Sequence, residues 1–209
     1  MLVSLAPDHA AAAARLHIAG QPGTFLTSLG PEVLTVLYEV LPQTTGGFGF
    51  AALTAEPDGQ QSVVGFVAAT TGTGKLFLEM GGRRFGRFAP ALLKRFGQQP
   101  SLALRSLQTL AYPLLAHERT SDPRPVAELL SIMVDSAARG QGVGAQLLTA
   151  LCDACHRREV SLLDVTVDAA NEGARRFYQR HGFTQQKEFQ LYGRAMCLYR
   201  RDLAGDTHV

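Results

Sequence analysis

Arg139-Gly140-Gln141-Gly142-Val143-Gly144 stands between the apolar run Leu129 to Val134 and the amphipathic segment Ala145 to Arg158. A run this rich in glycine, set between a strand pattern and a helix pattern, is where a backbone turns sharply. It also lets an anion rest against the peptide N–H groups, because glycine has no Cβ to hold the ligand away. The helix that follows adds roughly half an elementary charge at its N-terminus, and Arg139 adds a full one. The sequence therefore predicts a bound phosphorylated cofactor.

Two cofactor classes fit this stretch. Gly140-x-Gly142-x-x-Ala145 satisfies the dinucleotide pattern G-x-G-x-x-G/A, and Asp164 or Asp168 lies about where a ribose-binding acid is wanted. Against that class, Asp135 to Arg139 intervene where the pattern asks for an almost direct strand-to-helix junction. Read instead as Arg139-x-x-Gly142-x-Gly144 after Ile132-Met133-Val134-Asp135, the stretch resembles the acyl-CoA-binding motif of the GNAT acetyltransferase superfamily.

A second block discriminates. Leu162 to Val167 reads as a strand, and Asn171 to Phe183 follows it. Within that segment Ala174, Phe177, Tyr178 and His181 fall at i, i+3, i+4 and i+7, one face of a helix, and Gly182 stands where such a helix ends. An Asn that opens a helix, a Phe-Tyr pair on it and a closing Gly-Phe are together similar to the second half of the GNAT cofactor region. The two blocks extend the resemblance over Glu128 to Leu198 and favour acyl-CoA over a dinucleotide.

The resemblance implies a mixed α/β fold, with a central mixed sheet of six or seven strands flanked by helices. It also implies one domain over residues 1–209, with residues 128–198 as the acetyl-CoA-binding core. The implied reaction moves an acetyl group from its thioester to a primary amine by direct attack, through a tetrahedral intermediate. Pantetheine amides would pair with the strand backbone at Met133, Val134 and Asp135. The pyrophosphate would meet Arg139, Gly140, Gln141, Gly142, Val143, Gly144 and Ala145. Asn171 would hold the second half of the cofactor arm or simply cap its helix. Tyr178 stands at the family's general-acid position for the departing thiolate, with packing beside the cofactor as the plainer alternative. Glu128 is the candidate base for the amine's proton, and a structural role or a water chain is the alternative. By the two-residue period, Glu128, Leu130, Ile132 and Val134 should share one face of their strand. The thioester oxygen would be met by the main-chain N–H of Val134 or of its neighbour Met133.

Composition bounds the rest. With 209 residues, 46% of them hydrophobic and 18% charged, the chain is long enough for one sizeable core. A net charge of +2 is too mild to suggest nucleic-acid binding. Met80 to His117 nevertheless lacks acidic residues and carries Arg83, Arg84, Arg87, Lys94, Arg95 and Arg105. That run reads as a solvated face, a mouth for the cofactor's phosphates, or a contact with an anionic partner. Cys152, Cys155 and Cys197 cannot build a disulfide framework, and no leader pattern opens the sequence, so a cytoplasmic protein with reduced thiols is expected. Cys152-x-x-Cys155-His156 falls inside the helix after the glycine loop, with Val143, Leu147, Leu151 and Cys155 on one face, so core packing rather than a metal site is expected. No run of about 18 apolar residues is present to span a membrane.

Elsewhere the pattern predicts a short strand at Leu2 to Leu5, a helix over Asp8 to Ile18, and a second helix from Gly30-Pro31 to Pro42. A hairpin is predicted from Phe48 to Leu53 and Ser62 to Thr71 around Pro57-Asp58-Gly59. Gly72 to Ala127 then stretches far beyond the roughly 12–15 residues of a plain loop. It should be a helical insertion before the cofactor-binding strand, with helices over Pro90 to Phe96 and Leu102 to Leu115. Such an insertion suits a lid over the acceptor, a homodimer contact, or a membrane-facing surface through Arg83 to Arg95 with Phe85, Phe88 and Phe96. The acceptor class stays open among amino sugar, small amine and protein N-terminus. A non-catalytic acyl-CoA sensor or scaffold and a peripheral membrane acyltransferase are the alternative functions.

Overall fold

In the computed structural model, which describes residues 1–55, 59–83, 85–100, 122–191 and 193–205, the N-terminal strand runs Leu2–Ser4 (β1). The alanine-rich helix runs Ala10–Gly20 (α1) after a short 3-10 turn, and Gln21-Pro22-Gly23 ends it as expected. An unanticipated one-turn helix follows at Phe25–Leu29 (α2), where Thr24 accepts a hydrogen bond from Thr27 N–H and caps it. Pro31–Val40 (α3) starts with proline in its first turn, where the missing N–H costs nothing.

The hairpin strands are Gly47–Ala55 (β2) and Gln61–Thr70 (β3); part of the expected turn, Pro57-Asp58, lies outside the described residues. The remaining strands are Val126–Val134 (β4), Leu162–Asp168 (β5), Thr184–Leu191 (β6) and Arg194–Asp202 (β7). The seven strands described form a single sheet in the order β1-β2-β3-β4-β5-β7-β6, with β4 and β5 parallel and the other neighbours antiparallel. A parallel pair needs a crossover, and helix Val143–His156 (α6) lies within it.

Both faces of the central strands β2, β3 and β4 are buried, whereas β6 at the edge is largely exposed. Alternate residues of β3 serve two cores: Val67 and Ala69 pack toward α6, while Phe66 and Ala68 pack with residues of α1 and α3. Leu147, Leu151 and Cys155 of α6 are fully buried in the first core, on the face the sequence predicts. Each large apolar side chain so buried is worth roughly 1.5–3 kcal/mol.

The insertion carries Thr73–Arg83 (α4) and Phe85–Gln98 (α5), both on the α1/α3 side, where Leu76, Met80 and Phe88 enter the second core. Helix α5 begins ahead of the expected start at Pro90. Proline leaves the Gly86 carbonyl without its helical donor, and burial of Phe88 and Ala89 keeps the helix continuous across it. The predicted helix over Leu102 to Leu115 lies outside the described residues. Part of the basic run serves docking: Arg87 pairs with Glu39 of α3 at 2.7 Å, and Arg95 donates to the Ser28 carbonyl at 3.2 Å. Of the three phenylalanines expected to face a membrane, Phe88 is buried and Phe96 partly so, while Phe85 is exposed. No helix among the described residues is long and apolar enough to cross a membrane.

Candidate active site

The strand before the glycine loop does not keep its period. Pairing with β3 joins Ala68 to Ser131 but Ala69 to Leu129, so Leu130 is an extra residue in β4, a β-bulge. Ala127 and Leu129 face the α6 core, Leu130 and Ser131 both face the α1/α3 side, and Ile132 and Val134 face the α6 core again. The expectation that Glu128, Leu130, Ile132 and Val134 share a face is therefore corrected. Glu128 and Leu130 lie on the α1/α3 side, opposite Ile132 and Val134, because the bulge inserts one residue between the two halves of the strand.

Immediately after the bulge β4 loses its neighbour. The parallel ladder with β5 runs from Val126 opposite Leu162 to Leu129 opposite Val165 and stops, although both strands continue, to Val134 and Asp168. Beyond Leu129 the two strands part. Asp135 N–H donates to the Val64 carbonyl at 2.8 Å, which fixes the sense of alternation along the strand. Opposite Val64 and Phe66, Asp135 and Met133 are the hydrogen-bonded positions of the antiparallel pair; Val134 and Ile132 are the other kind and turn their N–H and C=O groups away from β3. Of the two expected donors to a thioester oxygen, Val134 points into the gap and Met133 toward β3. Ile132, not expected as a donor, is a second one into the gap.

At the mouth of the gap, Asp135 turns the chain by accepting from Ala137 N–H at 2.9 Å, and Arg139 Nε donates to the Val134 carbonyl at 3.2 Å. Gly140 and Gly142 adopt φ of +76° and +78°, a region that L side chains avoid. Added Cβ atoms there would meet essentially open space, so conformation rather than crowding requires glycine. Gly142 is the N-cap of α6 and has no side chain to cap it. The N–H groups of Val143, Gly144 and Ala145 thus end a helix without the usual internal acceptor. The loop and the donor-bearing edge fit a phosphate-bearing ligand with amides along its arm.

Helix Glu172–Arg180 (α7) carries the second block. Asn171 caps it, its Oδ1 accepting from Ala174 N–H at 3.0 Å, so the capping role expected of Asn171 is present. Tyr178 is buried between Phe177 and Phe183, with ring centroids 5.4 and 5.2 Å away. Burial pushes its phenol above the ordinary range, which keeps the proton on. On the opposite face, Glu128 Oε2 accepts from Thr73 Oγ1 of α4 at 2.6 Å, a contact between β4 and the insertion.

Three buried polar residues escaped the sequence reading. His17 of α1, Tyr38 of α3 and Ser131 of the bulge meet: His17 Nδ1 lies 2.5 Å from the Tyr38 hydroxyl, which donates to Ser131 Oγ at 3.0 Å. A serine amid Leu129-Leu130 and Ile132-Met133, and a histidine between Leu16 and Ile18 of an apolar helix, were the available signals. The acids of the dinucleotide alternative are otherwise engaged. Asp164 is buried and bound at 2.7 Å to each of two Arg200 nitrogens, and Asp168 pairs with Arg194. All three cysteines are buried, burial pushes the Cys155 thiol up to about 12, and no metal-binding cluster occurs among the described residues.

Comparison with known proteins agrees with this geometry. Residues 102–183 match the model of the acetyltransferase (GNAT) family. Over 66 residues the chain is 33% identical to an uncharacterized N-acetyltransferase of Methanocaldococcus jannaschii, a stretch that is 32% of this chain and 29% of that relative. The chain thus spans under a third of the curated relative it matches. The fold is similar to Arabidopsis thaliana NAA60 solved with acetyl-CoA, with TM-score 0.61 and 13% identity over 98% of this chain and 99% of that one. It is also similar to the ribosomal-protein-S18-alanine N-acetyltransferase of Escherichia coli, with TM-score 0.55 and 17% identity over 100% of this chain and 98% of that one. Residues 102–183 thus match the acetyltransferase (GNAT) family model, and the chain that carries them has a fold similar to that of solved acetyltransferases.

Proposed function

We propose that this protein is an acetyl-CoA-dependent N-acetyltransferase that acylates a primary amine by direct attack. The observation that carries this reading is the parting of β4 from β5 directly after the bulge, with the glycine loop at its mouth. Acetyl-CoA supplies an activated acyl group. Ile132 and Val134 would offer main-chain groups to the pantetheine arm and to the thioester oxygen as that oxygen gains charge. Arg139 and the N–H groups from Gly140 to Ala145 would take the pyrophosphate.

Tyr178, protonated in its buried setting, would give a proton to the departing sulfur. Glu128, held by Thr73 on the α1/α3 side, would take the amine's proton through an intervening water. That assignment gives the acceptor the α1/α3 face and the cofactor the gap. In this reading residues 1–209 form one domain, with 128–198 as the acetyl-CoA-binding core. One sheet containing strands of both halves supports it. The acceptor is a small molecule or a peptide amine, with amino sugars, small amines and protein N-termini as the classes to screen.

The test is calorimetric titration with acetyl-CoA, with NAD and NADP in parallel, followed by thiol release in the presence of an amine panel. Saturable binding of acetyl-CoA alone, with acceptor-dependent release, is expected. Binding of a dinucleotide alone would overturn the cofactor assignment. Binding without release across the panel would favour the non-catalytic acyl-CoA sensor.

A further inference from the structure

His17, Tyr38 and Ser131 lie within hydrogen-bonding distance of one another, with Ser131 Oγ 3.3 Å from His17 Nδ1, and all three are buried. Stability alone does not account for them. His17 Nε2 is buried with no hydrogen-bond partner among the described residues, so the cluster is not fully satisfied. Removing such groups from water costs about 1–3 kcal/mol for each one left unpaired, and apolar residues of the same shape would avoid that cost. The surroundings would accept them. Tyr38 already packs edge-on against Phe66, with ring centroids 4.8 Å apart.

What the cluster does hold is the bulge. Leu130 is the extra residue and Ser131 follows it, at the point where β4 regains its register with β3. The Ser131 carbonyl and the Ile132 N–H belong to one rigid peptide plane. Anchoring the Ser131 side chain from two helices therefore fixes the direction of the Ile132 N–H. Bulges re-aim groups beside active sites, but a bulged backbone has fewer ladder bonds to keep it in place.

We propose that His17, Tyr38 and Ser131 are positioning residues that hold the Ile132 N–H toward the thioester oxygen in the β4–β5 gap, an inference that rests on the acetyl-CoA reading above. The cluster orients and does not relay protons. Burial pulls the His17 pKa down to about 4, so the imidazole is neutral at neutral pH and a poor acceptor for the amine's proton.

The experiment begins with acetyl-CoA binding to the wild type by calorimetry; failure there removes the cofactor reading itself and is recognised as such. Acetyl-CoA labelled with 13C at the acetyl carbonyl is then examined by isotope-edited infrared spectroscopy, bound to the wild type, Tyr38→Phe, Ser131→Ala and Ser131→Thr. A carbonyl aimed at by a preorganised N–H should shift to lower frequency on binding the wild type. Tyr38→Phe and Ser131→Ala should lose most of that shift and lower kcat roughly 10- to 100-fold, with affinity for free coenzyme A within about twofold. Ser131→Thr, which keeps a hydroxyl on a residue suited to a strand, should recover both.

A merely structural role would lower melting temperature without moving the carbonyl frequency. The proposal is overturned if the wild type binds with no shift, or if folded Tyr38→Phe and Ser131→Ala keep the wild-type shift. Should Ser131→Ala not fold, Tyr38→Phe removes a single oxygen from a packed ring and decides the matter.

Discussion

At the scale of single residues, the glycine loop offers the cleanest separation of stability from binding. Gly144 has no positive φ, and a Cβ there would meet only ordinary contacts, 3.5 Å from the Phe177 ring and 3.8 Å from Val134. An acidic side chain in the first turn also suits the helix dipole. Gly144→Asp should therefore fold with wild-type stability yet lose acetyl-CoA binding by at least 100-fold, because its charge would sit where we propose the pyrophosphate binds. Retained affinity in calorimetry would refute the loop assignment. Tyr178→Phe keeps the packing against Phe177 and Phe183 and removes only the hydroxyl. It should lower kcat by roughly 100-fold with little change in acetyl-CoA affinity; an unaltered single-turnover rate would reduce Tyr178 to packing. His17 gives a pH signature. Its pKa falls from 6.5 to about 4 on burial, so between those values the unfolded chain binds the proton and the folded one does not. Stability is then highest above pH 6.5 and declines toward pH 4, by about 3 kcal/mol from this residue. Urea titrations at pH 7 and 4.5 should show a smaller decline in His17→Gln than in the wild type; equal declines would count against the burial argument.

At the scale of elements, helix starts and the glycine turns were legible because each is written in a few adjacent residues. Pro31 and Gly182 occupy the boundaries expected of them, the latter at φ +81°, while Gly142 opens its helix at Val143, ahead of the amphipathic segment expected from Ala145. The bulge was not legible. Buried residues still alternate along β4, at Ala127, Leu129, Ser131 and Met133, but the first two face one core and the last two the other. Two-residue periodicity reports burial without naming the face, and so by itself it puts Glu128 on the wrong side of the strand. The insertion shows the same limit: its amphipathic pattern required cover, and only packing chose α3 as the partner. Gly30, between α2 and α3, tests that packing. It has φ of +96°, and a Cβ would lie 2.5 Å from the Arg95 guanidinium. Arg95 can swing away, but the backbone cannot relax without moving α3, so Gly30→Ala should cost about 1–3 kcal/mol. Chemical denaturation checks this, and a loss below 0.5 kcal/mol would mean the turn adapts.

For the whole molecule, a sheet whose central strands are covered on both faces divides the work: α6 and α7 pack on the side of Ile132 and Val134, while α1, α3, α4 and α5 pack on the side of Glu128. A ligand held in the gap between β4 and β5 should stabilise the fold as a unit. Acetyl-CoA at 100 times its Kd adds about 2.7 kcal/mol, which for a chain of this size raises Tm by roughly 5–10 °C. Differential scanning fluorimetry should show that rise with acetyl-CoA and none with NAD at the same concentration; the reverse pattern would contradict the gap assignment. The glycine loop, the amphipathic helices, the hairpin and the mixed α/β class are legible in the chain before it folds. Those depend on backbone preferences and periodicities expressed within a dozen residues. Tertiary structure alone decided the face of Glu128, the direction of the Ile132 and Val134 donors, and the meeting of His17, Tyr38 and Ser131. Those partners are 21 to 114 positions apart in the chain, and a single inserted residue in β4 reversed which side chains face each core and which peptide groups face the gap. No local pattern carries such information, because it arises only when strands choose their register and helices choose a face.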